Sequence, residues 1–153
     1  MARFTATTRS DAVVEVDRQR IWETLTDPAM LPRLTPYLDH IEVHGDHWRW
    51  EMSHLPVLHV SIAPSFTERM TFVEGRRIEF THDPPAGRRE HAGAEGHYDL
   101  EDVEGGTRLR IELELGVDLA LPRLAAPAVN RVMQAVIDAM GHRFSHNLLR
   151  HLG

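Results

Sequence analysis

The sequence predicts an α+β fold in which a curved antiparallel sheet of about seven strands wraps around a long C-terminal helix. Between residues 38 and 119, apolar side chains recur with a period of two, as in half-buried strands. Short turn sequences separate these stretches, which is typical of an antiparallel meander. After residue 119 the period becomes helical and continues for about 25 residues, so this helix is the main candidate to cover the sheet.

The start of the chain predicts one strand followed by two short helices. Residues 12–16, AVVEV, form an alternating apolar stretch, and Asp17 is a suitable N-cap for the first helix. Asp27 and Pro28 repeat a helix-start signal, since proline suits the first helical position. Pro32 and Pro36 keep the second helix short.

The first predicted hairpin shows how one face of the sheet becomes apolar. A two-residue turn at 45–46 pairs Val43 with Trp48 and Ile41 with Trp50. The charged residues between them then lie on the opposite face. We therefore expect a sheet with one core face and one solvated face.

Four further strands complete the predicted meander. The first covers residues 58–73, where Pro64 requires a bulge or an edge position. The others cover 76–82, 89–103 and 107–119, and the last of these alternates apolar and polar residues throughout.

Two carboxylates and an imidazole lie on the apolar face. In the hairpin of residues 66–82, the register places Glu68 opposite His82, and a turn at 84–88 brings Glu90 beside the same imidazole. Such a trio can exchange protons with a substrate, because neighbouring charge and burial shift its pKa values. Weak metal binding is another interpretation, and a solvated group at the open end of the sheet is a third.

The strand at 89–103 and the last helix carry further polar or small residues on their inner faces. Ala92, Ala94 and Gly96 either leave volume for a ligand or allow the helix to pack closely. Tyr98 continues their phase, and Asn147 lies in the apolar arc of the helix. Each of these two polar groups needs a partner, which a neighbouring residue, solvent at the rim or a bound molecule would supply.

The last helix also carries a row of possible metal ligands. His142 and His146 have the i, i+4 spacing of zinc ligands, and Asp138 precedes them by one turn. This row faces away from the apolar stripe, and no further ligand with a characteristic spacing accompanies it. We predict no metal site and no cofactor.

Composition limits the remaining classes of function. The chain has 153 residues, which predicts a single domain over 1–153, and its lack of cysteine excludes thiolate metal sites and thiol catalysis. Its formal net charge of −6 argues against a nucleic-acid partner. No apolar run approaches the ~18 residues of a membrane span, so we expect a cytoplasmic protein. The oligomeric state cannot be predicted from these features.

Three segments resemble one superfamily. They are VDRQRIWETLTDPAMLPRLTP near the start, GHYDLEDVEGGTRLRIELEL later in the chain, and the long C-terminal helix. Together they are similar to the SRPBCC superfamily, whose helix-grip or START-like members include the birch pollen allergen, lipid-transfer domains and polyketide cyclases. The resemblance implies a hydrophobic cavity between sheet and helix and no shared cofactor. These motifs specify a fold more than a chemistry.

We therefore predict binding of a small hydrophobic or aromatic molecule, such as a lipid or a polyketide-like compound. The predicted ligand-binding residues share inward positions and are Trp48, Trp50, Phe66, Met70, Phe72, Phe80, Glu90, Ile111, Leu113, Val136, Met140, Phe144 and Asn147. The alternative is an enzyme resembling aromatase/cyclases, with Glu68, His82 and Tyr98 as catalytic residues. A protein-interaction module like the co-chaperone members is the third hypothesis, and a filled interior would favour it.

Overall fold

The computed structural model describes residues 2–57 and 60–153, with the backbone alone in 55–57 and 60–62. Its strands and α-helices are β1 (Ala2–Val14), α1 (Arg18–Leu25), α2 (Leu31–Leu34), β2 (Leu38–His44), β3 (His47–Met52), β4 (Leu55–Val57), β5 (Val60–Ile62), β6 (Ser65–Val73), β7 (Arg77–His82), β8 (Ala92–Val103), β9 (Gly106–Leu119) and α3 (Ala126–Leu152). A short 3-10 helix, Arg123–Ala125, leads into α3. The predicted α+β helix-grip fold is confirmed.

In the described residues, seven strands form one antiparallel sheet in the order β1-β9-β8-β7-β6-β3-β2, and β4 and β5 form a separate hairpin. The predicted register of the second and third strands is confirmed, because Ile41 pairs with Trp50 and Val43 with Trp48. The long helix α3 packs its buried residues against the inner face of this sheet. These residues are Val129, Met133, Ile137, Phe144, Leu148 and Leu152.

The first strand is longer than the sequence predicted. It begins at Ala2 rather than at residue 12, and it pairs with β9 along its whole length, from Ala2 opposite Leu119 to Val14 opposite Thr107. Its first residues alternate between buried and exposed positions. The prediction missed this segment because the alternating positions hold small or polar side chains, which give a weak hydrophobic signal.

The predicted strand over 58–73 is wrong in its first half, and Pro64 explains why. Val60–Ile62 belongs to the separate hairpin, and the sheet strand begins only at Ser65–Val73. This strand is central, between β3 and β7, where a proline has no N–H to give to the ladder. Leu58, the predicted start, lies outside the described residues.

Both predicted helix-start signals differ in detail from the structure. Asp17 occupies the N-cap position of α1 without a capping bond from its side chain. The Oδ1 atom of Asp27 accepts the N–H of Ala29 at 2.9 Å, which makes a turn after α1. The second helix therefore begins at Leu31, not at Pro28.

Gly96 is a position where two backbones approach closely. A Cβ atom there would collide with the backbone carbonyl oxygen of Glu112 on the adjacent strand β9. We expect Gly96→Ala to lower the free energy of unfolding by about 2–3 kcal/mol, because the backbone must shift to accept the methyl group. Urea denaturation followed by circular dichroism measures this loss.

Gly141 provides the matched control on α3. A Cβ atom there would lie 3.7 Å from Thr8 Oγ1, an ordinary contact. Gly141→Ala should stabilise the protein by about 0.5–1 kcal/mol, because alanine favours a helix. Similar effects of the two substitutions would contradict the proposed steric cause at Gly96.

Within residues 2–57 and 60–153, no helix is both long and apolar enough to cross a membrane.

Candidate functional site

A cavity of about 350 Å³ lies between the inner face of the sheet and α3. Its volume falls within the range of small-molecule sites, about 300–1,000 Å³. The predicted residues that line it are Trp50, Phe66, Glu68, Phe80, Tyr98, Ile111, Leu113, Met140 and Phe144. Ile111 and Leu113 are only half-buried, although Leu109 and Leu115 on the same face of β9 are buried, since Ile111 and Leu113 face this open space.

The structure places another part of the predicted lining beneath α1. The Phe72 ring lies 6.2 Å from that of Trp22 on α1 and 5.9 Å from that of Trp48. Trp48 and Met70 are buried in the core, and Phe72 is 41% exposed. These side chains share the inner face of the sheet with the cavity residues, but they lie outside its lining.

Two predicted residues of α3 also lie outside the lining. Val136 packs partly buried against the hydrophobic core. Asn147 donates from Nδ2 to the carbonyl oxygen of Leu34 at 2.9 Å. This bond ties α3 to the end of α2, so the Asn147 amide has a partner without a bound molecule.

Glu90 forms a buried network at one end of the sheet, and its side chain is 1% exposed. Thr67 donates to it from both its backbone N–H, at 2.7 Å, and its hydroxyl, at 2.8 Å. The Nε2 atom of His82 lies 3.0 Å from the same carboxylate. Burial alone would raise the pKa of Glu90, but these bonds outweigh it and hold the pKa below its ordinary value. Glu90 is therefore an ionised group with satisfied oxygens.

Glu68 lies in a different environment. Its side chain is fully buried and lines the cavity. Its Oε1 atom accepts the N–H of Ala94 at 2.8 Å, whereas Oε2 is buried with no hydrogen-bond partner among the described residues. Burial raises the pKa of Glu68 to about 9, and the negative charges of Glu95 and Glu90 add to this effect. Near neutral pH, Glu68 is a neutral carboxylic acid.

The predicted pairing of Glu68 with His82 is confirmed as a backbone register. Their side chains nevertheless bond to different groups, Glu68 to the backbone of Ala94 and His82 to Glu90. Thr67, which also bonds Glu90, is adjacent to Glu68 in β6 and points to the opposite face of the sheet. His82 and Glu90 are absent from the described lining of the cavity.

Two aromatic residues of the lining, Trp50 and Tyr98, also carry polar groups. Trp50 stacks on Phe66 with ring centroids 6.4 Å apart and an interplanar angle of 12°. Its Nε1 atom is buried, and in the described part of the chain nothing accepts its proton. Burial raises the pKa of Tyr98 to about 12, so its hydroxyl stays protonated, and its ring meets Phe80 edge-on at 5.5 Å.

The small residues of β8 have separate roles that the sequence could not distinguish. Ala94 lines the cavity, so its short side chain leaves volume there. A Cβ atom at Gly93 would lie 2.5 Å from the ring of His82, so this glycine lets the imidazole pack on the strand. Gly96 permits the close approach of β9 described above.

Sequence reasoning missed several residues of the lining. They come from β1, the segment around α2, β3, β9 and α3, and are Thr8, Arg9, Ser10, Leu31, Thr35, Leu38, Met52, Leu115, Ile137, Asp138, Gly141, His142 and Ser145. Extending the alternation of β1 toward the N-terminus would have found Thr8 and Ser10.

Asp138 and His142 were expected to face solvent, and they are exposed residues of this lining. Within the described residues, no cluster of three or more such side chains could hold a metal ion.

Solved structures share this fold over nearly the whole chain. A conserved protein from Geobacillus kaustophilus aligns with a TM-score of 0.71 and 14% identity, covering 96% of this chain and 95% of its own. The Zhui aromatase/cyclase from Streptomyces sp. R1128 aligns with a TM-score of 0.69 and 14% identity, covering 97% and 93%. A START superfamily protein from Mycobacterium smegmatis aligns with a TM-score of 0.64 and 14% identity, covering 97% and 96%. Such low identities establish the fold and leave the ligand open.

Comparison of the sequence with curated proteins gives no significant match. A family model described as polyketide cyclase/dehydrase and lipid transport matches residues 1–145. The chain belongs to this polyketide cyclase/dehydrase and lipid transport family.

Proposed function

We propose that the chain binds a small, largely apolar molecule, of a lipid or polyketide-like kind, in the cavity between the sheet and α3. The observation that carries this proposal is the cavity itself, about 350 Å³ of space lined mainly by aromatic and aliphatic side chains. Interiors normally reach crystal-like density, so an opening of this size needs a reason. Desolvation of an apolar guest would drive its entry, at about 25 cal/mol per Å² buried, less the cost of ordering.

Binding is favoured over the two alternatives from the sequence. The aromatase/cyclase hypothesis required His82, polarised by Glu68, to reach the substrate. His82 instead bonds to Glu90 and is not among the described lining residues, which argues against that role. A filled interior would have favoured the interaction-module hypothesis, and the open cavity argues against it.

Two measurements test the proposal. Native mass spectrometry of the freshly purified protein should show a co-purifying small molecule. Met140→Trp should then reduce its occupancy at least about thirtyfold, because the indole fills the space that the ligand needs.

Leu149→Trp is the matched control for this substitution. Leu149 lies on the same helix, is 52% exposed and is not part of the described lining. The control protein should keep the bound molecule, and thermal melting should show both variants folded. Equal occupancy in Met140→Trp and in the natural protein would remove the cavity as the binding site.

A further inference from the structure

Two polar atoms on cavity-lining residues lack partners among the residues that the structure describes. They are Oε2 of Glu68 and Nε1 of Trp50, and both are buried. The backbone pairs Trp50 with Phe66 and Trp48 with Glu68 on adjacent strands, so Trp50 and Glu68 are diagonal neighbours on one face. Diagonal side chains of this kind lie about 7–8 Å apart at their Cα atoms, within reach of one small molecule.

Both atoms are hydrogen-bond donors. The indole N–H of Trp50 can only donate. Because Oε1 of Glu68 accepts the Ala94 N–H, the acid proton is carried by Oε2. Buried polar groups without partners are costly, so a molecule that accepts hydrogen bonds from both would relieve the cost.

A negatively charged ligand group would not suit this end of the cavity. The ionised carboxylate of Glu90 lies close enough to disfavour charge on Glu68, and Glu95 acts in the same direction. No Lys, Arg or His side chain is among the described bonding partners of Glu68. Arg9 and His142 also line the cavity, but neither bonds Glu68. A ligand carboxylate placed beside Glu68 would therefore meet repulsion and a low dielectric.

We infer that Glu68 and Trp50 form a donor pair that selects a neutral ligand bearing a carbonyl oxygen, such as a ketone, quinone or ester, and rejects carboxylates. Glu68 donates through Oε2, and Trp50 donates through Nε1 to the same oxygen or to a second one. This inference rests on the proposed function, since it specifies the chemistry of a guest in the same cavity. The donor pair would favour neutral carbonyl compounds over free fatty acids.

The test compares three probes that share one ring system: fluorenone with a carbonyl, fluorene without one, and fluorene carboxylate. Equilibrium dialysis near neutral pH gives the dissociation constant of each. For the natural protein we expect fluorenone to bind at least about tenfold more tightly than fluorene, and the carboxylate to bind most weakly.

Substitutions identify the donors. Glu68→Met removes the acid and should abolish the preference for fluorenone over fluorene, whereas Glu68→Gln restores an N–H donor and should rescue it. Trp50→Phe should reduce the preference while its ring still packs on Phe66. Thermal melting checks that each variant is folded. If Glu68→Met does not fold, Trp50→Phe still tests the donor pair, because it leaves the bond between Glu68 and Ala94 intact.

The two proposals fail in different ways. Equal binding of fluorenone and fluorene to the natural protein would overturn the donor pair and leave the apolar cavity as a binding site. Tighter binding of the carboxylate than of fluorenone would also overturn it. If neither neutral probe binds, and no small molecule co-purifies, the proposed function and this inference both fall.

Discussion

At alkaline pH the Glu68→Gln variant is expected to be more stable than the natural protein, and its advantage should grow as pH rises. Glu68 is fully buried, and its pKa in the folded protein is about 9 because burial disfavours its charged form. In the unfolded chain the same group has its ordinary pKa of 4.5. Between these two values the folded protein holds a proton that the unfolded chain has released.

The direction of the effect follows from this difference. The contribution of Glu68 to stability is fully present below pH 4.5 and is lost as pH rises toward about 9. Within that window the free energy of unfolding falls by at most about 1.4 kcal/mol per pH unit. Glutamine has no proton to lose, and its side-chain oxygen can still accept the Ala94 N–H.

Urea denaturation of both proteins at several pH values between about 5 and about 8 measures the effect. The quantity of interest is the difference between the two free energies of unfolding, because the histidines common to both proteins cancel. Over this range the difference should shift in favour of Glu68→Gln by up to about 4 kcal/mol. A difference that does not change with pH would mean that Glu68 is already ionised in the folded protein, and the acid donor inferred above would be lost with it.

The alternation of apolar and polar residues was sufficient to predict most strands of the sheet and the register of two hairpins, β2 with β3 and β6 with β7. The register that brings Glu68 opposite His82 depends only on the period of two and a short turn, both visible in the sequence. The long helix was equally clear, since its apolar stripe repeats over many turns. These features are local, so a single sequence contains them.

The chemistry of the site depends on contacts that periodicity does not encode. A simple register places both Glu68 and Glu90 beside His82. In the structure, however, Glu68 is a neutral acid, whereas Glu90 is an ionised carboxylate within a hydrogen-bond network. The difference arises because Thr67 donates twice to Glu90, while Glu68 receives a single backbone bond from Ala94. Neither partner could be chosen from spacing, because both bonds join segments more than twenty residues apart.

The extent of the cavity could not be predicted from the sequence either. Trp48 and Trp50 have the same inward phase in β3, but only Trp50 lines the described cavity. The Trp48 ring belongs to the cluster with Phe72 and Trp22 of α1. Which helix covers which part of a sheet face is a tertiary property, so alternation predicts the face and not its cover.

Replacing Glu90 should lower the free energy of unfolding, whereas replacing Glu68 by glutamine should raise it at alkaline pH. Glu90→Leu removes the carboxylate that accepts the N–H and hydroxyl of Thr67 and bonds His82. These groups then lose their hydrogen-bond partner. We expect a loss of about 3–5 kcal/mol in the free energy of unfolding near neutral pH, typical of deleting one member of a buried charged network. Glu90→Gln keeps one acceptor oxygen and should cost less.

Urea denaturation with Glu101→Leu as control measures this loss. Glu101 is an exposed residue of β8, and its replacement should change stability by no more than about 0.5 kcal/mol. Because the pKa of Glu90 is lowered by folding, its contribution is present above its ordinary pKa of 4.5 and is lost as pH falls below that value. The stability difference between the natural protein and Glu90→Leu should therefore shrink in acid. If Glu90→Leu and Glu101→Leu were equally stable near neutral pH, the network around Glu90 would contribute nothing to folding, and the contrast between the two buried carboxyls would lose its physical basis.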